Sequence, residues 1–108
     1  MALNLPAPIE AYFAAANTDD SDRVAACFTD EAVVHDEGQD IQGREAICTW
    51  AVESRRKYRF HAQPLTVDEG VDRTVVSAHL TGDFPGNPVD LSYRFKLANG
   101  KIAALEIG

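Results

Sequence analysis

The order of patterns along the chain predicts an α+β domain, with helical segments gathered in the first half and an antiparallel run of strands in the second. Apolar residues first recur at helical spacing: Ile9, Tyr12, Phe13 and Ala16 stand at i, i+3, i+4 and i+7. From Thr74 the period falls to two. Val76, Ala78 and Leu80 alternate with Val75, Ser77 and His79, and Leu91, Tyr93, Phe95 and Leu97 alternate with Asp90, Ser92, Arg94 and Lys96. Turn residues punctuate this second half, in Gly82-Asp83-Phe84-Pro85-Gly86-Asn87-Pro88 and in Ala98-Asn99-Gly100. A chain of 108 residues is sized for one domain, 1–108, with one modest core.

The first helix runs from about Ile9 to Asn17, with Pro8 suited to its first turn. Asp20 or Ser21 caps a second helix that reaches about Phe28 and buries Val24, Cys27 and Phe28. The short connection makes the two an antiparallel pair. Asp30-Glu31 reads as an acidic turn before a short strand, Val33 to Asp36, and Asp40-Ile41-Gln42 as a short extended piece. A third helix starts at Gly43-Arg44-Glu45-Ala46-Ile47 and ends near Arg56, with Ile47, Trp50 and Ala51 on its apolar face. The cations of Arg55-Arg56-Lys57-Tyr58-Arg59 complement its C-terminal dipole. Tyr58, Phe60 and Ala62 then alternate as a half-buried strand bent at Pro64, and Asp68-Glu69-Gly70 is a turn. Lys101 to Ile107 returns as the last strand.

Hydrophobic residues make up 45% and charged residues 25%, the balance of a soluble globular protein. The net charge of −7 opposes nucleic-acid and anionic-membrane binding, which need a positive field. Cys27 and Cys48 form no Cys-x-x-Cys and read as small buried residues in a reducing compartment. No apolar run has the length of a membrane span, and the N-terminus lacks the layout of a signal peptide. A cytoplasmic location is the expectation.

One candidate for chemistry lies at the far end of the β-branched run Val33-Val34-His35-Asp36. A carboxylate there, where the chain leaves the core, is partly desolvated and suited to act as a general base. The alternative is that Asp36 and Glu37 only open a solvated turn before Gly38. His35 and Glu37 share a strand face, but a third metal ligand would have to come from His61 or His79 on distant strands, so no metal is expected. His61 and His79 either line a pocket or face solvent. Trp50, Phe60, Tyr93 and Phe95 supply a pocket wall or plain core.

The segments Phe28-Thr29-Asp30-Glu31-Ala32-Val33-Val34-His35-Asp36, Gly43-Arg44-Glu45-Ala46-Ile47 and Gly100-Lys101-Ile102, in this order, resemble the NTF2-like superfamily, closest to its SnoaL-like and ketosteroid isomerase-like branches. The resemblance implies a cone-shaped (cystatin-like) fold, three N-terminal helices packed on a curved antiparallel or mixed sheet around a pocket. It implies a catalytic base at Asp36, an enolate-stabilising donor at Tyr12, and substrate contacts from Phe28, Trp50, Phe60, Leu91, Tyr93 and Phe95. The family's second donor, an Asp, falls at Leu91, and strand alternation turns the adjacent Asp90 to the other face. The implied ligand is a small apolar, steroid- or polyketide-like carbonyl compound. The implied chemistry needs no cofactor, and the implied assembly is a homodimer through the sheet's outer face, where Ser77, His79 and Thr81 lie. Two functions stay open: an isomerase or cyclase acting by proton abstraction, or a non-catalytic ligand-binding or dimerisation module.

Overall fold

The computed structural model describes residues 3–108. Met1 and Ala2, the start of the expected domain and of the N-terminus read as carrying no signal peptide, lie outside the described residues. The elements follow as α1 (Ala7–Asn17), α2 (Ser21–Ala26), β1 (Phe28–Asp36), β2 (Gln39–Gln42), α3 (Arg44–Tyr58), β3 (His61–Glu69), β4 (Thr74–Thr81), β5 (Val89–Ala98) and β6 (Lys101–Ile107). This is the α+β order expected. The strands form one six-stranded sheet ordered β2-β1-β6-β5-β4-β3. β1 and β6 pair in parallel, and the other neighbours are antiparallel, so the sheet is mixed.

Local chemistry sets most element ends. Pro8 sits in the first turn of α1, where a missing N–H costs nothing. The Asp20 side chain accepts from the Arg23 N–H and caps α2. Arg55, Arg56 and Lys57 fill the last turn of α3. Two-residue turns with positive φ at both positions, Glu37-Gly38 (52° and 74°) and Asn99-Gly100 (54° and 74°), close the β1–β2 and β5–β6 hairpins.

Several boundaries differ from expectation. β3 runs on through Asp68 and Glu69, read as a turn, because both pair with β4. β1 begins at Phe28, so α2 stops at Ala26 and Asp30-Glu31 lies within the strand. The irregularity explains the charges: between Phe28, opposite Ile102, and Val33, opposite Ala104, β1 carries extra residues and exposes both acids. Tyr58 belongs to α3 rather than to a strand, because Arg59 adopts the left-handed conformation (φ 46°) and ends the helix one residue later. The expected bend at Pro64 is a register shift between Pro64 and Thr66.

Helices and sheet are tied by side chains as well as by burial. The Asn17 carboxamide donates to Ala62 O and accepts from Ala62 N–H, both at 2.8 Å, and so extends the ladder from α1 into β3. Arg44 donates from Nε to Phe28 O at 2.8 Å and pairs with Asp30 at 2.9 Å, which fixes the start of α3 on β1. The fully buried Phe28, Phe95, Ile9, Ile47, Ile102, Leu105, Val34 and Val76 fill the closed end of the cone. Cys27 and Cys48 are free and half-buried, so the expectation of burial holds only in part. Among the described residues no helix is long and apolar enough to cross a membrane.

Candidate functional site

The helices leave the other end of the curved sheet uncovered, and a cavity of about 970 Å³ opens there. That volume suits a drug-sized ligand. The strands reach it with alternate residues. Asp36 is the last ladder residue of β1, opposite Gln39, and its side chain follows Val34 onto the concave face. β5 contributes Val89, Leu91 and Tyr93, β4 contributes Leu80, and β6 contributes Ile107. From the helical side come Tyr12, Trp50 and, just past α3, Phe60.

Tyr12, Asp36, Trp50, Phe60, Leu91 and Tyr93, all expected at the site, therefore line one cavity. Phe28 and Phe95 do not. Both are fully buried in the closed end, where their rings meet that of Tyr12 edge-on at 6.0 and 5.7 Å between centroids. They hold the Tyr12 ring rather than touch a ligand. The correction follows from depth along the cone: Phe95 lies two residues beyond Tyr93 on β5, past the cavity floor.

Trp50 has a second role that helical periodicity does not reveal. Its indole Nε1–H donates to Asp36 Oδ2 at 3.0 Å, which orients the carboxylate and leaves the other oxygen free of that bond. Burial pushes the Asp36 carboxyl above the ordinary Asp range. The Trp50 hydrogen bond acts against this rise, while the charge of Glu37 adds to it. Desolvation dominates, as a carboxylate set among apolar side chains requires.

The two tyrosines stay neutral. Burial, and then the neighbouring Tyr93 and Asp36, raise Tyr12 well above its usual range. Burial, and then Asp36, raise Tyr93. Each is 3% exposed, yet neither hydroxyl has a protein partner among the described residues, and no side-chain oxygen is both sealed and unpaired. The hydroxyls thus meet the cavity as free donors. Their rings are 6.3 Å apart and are locked by edge contacts with Phe13 and Phe95.

The mouth is built by α3 and the loop before β5. Arg55 donates to Phe60 O and to Asn17 O, which holds the chain turn after α3. The Tyr58 hydroxyl donates to Glu37, and its ring meets Phe84 edge-on at 6.0 Å. Sequence reasoning missed the mouth because reading Tyr58 as a strand residue pointed it elsewhere. The histidines stand outside. His35 pairs with Asp40 at 2.5 Å and His79 with Asp90 at 2.6 Å on the convex face, and His61 is exposed. Asp90 is thus turned away from the cavity, and Leu91 takes the wall position.

The family model of the SnoaL-like domain matches residues 9–105, and the chain belongs to that family. Among solved structures, a protein of Sinorhizobium meliloti provisionally assigned as a polyketide cyclase superposes with a TM-score of 0.93 at 39% identity, covering 96% of this chain and 95% of that one. A Catenulispora acidiphila protein with a ketosteroid isomerase-like fold, in complex with trimethylamine, gives 0.87 at 17% identity, covering 97% and 86%. A further protein provisionally assigned as a polyketide cyclase, from Xanthomonas campestris pv. campestris, gives 0.78 at 19% identity, covering 94% and 86%. No curated protein matches the chain.

Proposed function

We propose that the protein is a cofactor-independent isomerase or cyclase that removes a proton next to the carbonyl of a small apolar, steroid- or polyketide-like substrate. One observation carries this reading: a carboxylate with a raised pKa and a phenol lacking a protein partner among the described residues face the same cavity. A flat ketone enters with its oxygen toward Tyr12. The Asp36 carboxylate takes a proton from the adjacent carbon, the C–H electron pair becomes the C=C bond, and the carbonyl π pair moves to oxygen. Tyr12 donates a hydrogen bond to that oxygen as its charge develops. The protonated Asp36 then returns the proton to the far carbon of a C=C conjugated with the enolate, or the enolate carbon closes a ring onto a second carbonyl, whose π pair moves to oxygen and takes the proton from Asp36. Phe60, Leu91 and Ile107 bind the apolar body. The Sinorhizobium relative, provisionally assigned as a polyketide cyclase, supports this substrate class.

The test is deuterium incorporation into a panel of cyclic ketones. Asp36→Asn should abolish it, and Tyr12→Phe should slow it while leaving apolar binding nearly intact. Equal exchange by wild type and Asp36→Asn across the panel removes the base assignment. Leu91, standing where the family places an acid, favours a second reading, a ligand-binding module without turnover. Under either reading the protein acts in the cytoplasm as a homodimer joined through the convex face that bears Ser77 and His79. A sedimentation mass of one chain at micromolar concentration contradicts that assembly.

A further inference from the structure

The cavity is lined by a second buried phenol, Tyr93, that the proposed reaction does not use. Tyr93 lies on β5 opposite Val76 and Ile107, on the same face as Leu91 and one strand repeat further on. It is 3% exposed, and its hydroxyl has no protein partner among the described residues. The hydroxyl is open to the cavity, so a ligand there can supply its acceptor. Its ring is fixed by Phe13 at 5.0 Å and stacks with Phe95 at 6.3 Å, so the hydroxyl direction is set before any ligand arrives. Tyr12 approaches the same end of the cavity from α1, its ring 6.3 Å from that of Tyr93.

We infer that Tyr93 is a second oxyanion donor, which converges with Tyr12 on one substrate oxygen from the sheet side and supplies the hydrogen bond that Leu91 cannot. This rests on the proton-abstraction reading and selects its substrate: a flat, mostly apolar ketone with a single acceptor oxygen at its buried end. The donor moves by one strand repeat, from position 91 to position 93, and stays on the concave face.

The test uses two readouts. The first is 2-naphthol binding followed by phenolate absorbance in the Asp36→Asn background, where no carboxylate charge opposes the phenolate. The naphthol should bind ionised near neutral pH, and adding Tyr93→Phe should cut the ionised fraction about tenfold, as loss of one hydrogen bond to a charged oxygen does. Tyr12→Phe should act alike. The second readout is ketone exchange in Tyr93→Phe alone, expected to fall about a hundredfold, with thermal unfolding confirming an intact fold. If exchange needs Asp36 while Tyr93→Phe matches wild type in both readouts, the Tyr93 assignment fails and the base reading stands. If Asp36→Asn exchanges like wild type, the base reading fails, and the naphthol spectrum alone decides for Tyr93. Naphthol that stays neutral, or that does not bind, overturns the assignment.

Discussion

Replacing Asp36 with Asn should stabilise the protein at neutral pH and leave its acid stability unchanged. Burial raises the folded-state pKa of Asp36 above its unfolded value. The wild type is therefore most favoured below the unfolded pKa, and that advantage is lost as pH rises through the folded value. Asn carries no charge and does not pay this penalty. The side chain is only about half withdrawn from water, and Trp50 exchanges a charge-assisted bond for a neutral one, so both effects trim the gain. A single stabilising substitution commonly yields about 0.5–2 kcal/mol, and with these offsets the gain here is about 1 kcal/mol. For a domain of this size that corresponds to roughly 4–8 °C in Tm. The assay is thermal unfolding of both proteins near pH 7 and again near pH 3, where every other carboxylate contributes equally and cancels in the difference. A variant no more stable than wild type at neutral pH, or a gain that persists undiminished in acid, would refute the desolvation argument.

Two further substitutions probe the frame around the cavity. Trp50→Phe should raise the titration midpoint of Asp36 further by removing the indole hydrogen bond, with apolar ligand binding retained; carboxyl NMR titration reads this, and an unchanged or lowered midpoint counts against it. Gly82→Ala should destabilise by about 1–3 kcal/mol in denaturant unfolding, because a Cβ there would lie 2.7 Å from Tyr58 O and 2.9 Å from Phe60 Cα, both backbone atoms, and a neutral result would mean that the mouth yields easily.

The sequence was most legible where one period governs a whole element. The alternation of Thr74 to Thr81 coincides with β4, and that of Leu91 to Phe95 lies within β5, because each strand buries one face, whereas Leu97, past a register shift with β6, is exposed. It was least legible where two influences compete. Asp30 and Glu31 look like a turn by composition, and only pairing with β6 makes them strand. The alternation of Tyr58, Phe60 and Ala62 carries across the end of a helix. For the site, Tyr12 and Asp36 followed from family resemblance to matching positions. The bond from Trp50 to Asp36 spans fourteen residues and arises from packing α3 on β1, which no local pattern encodes. Depth along the cone, which separates cavity-lining Tyr93 from core Phe95, is likewise a property of the curved sheet.

The pH profile of deuterium incorporation at the carbon next to a bound cyclic ketone's carbonyl reads the role of Asp36 directly. In wild type the rate should climb as Asp36 ionises, with a midpoint above the value of about 3.9 for a free Asp, and Asp36→Asn should stay at the uncatalysed background throughout. Superimposable profiles for the two proteins would contradict base catalysis by Asp36.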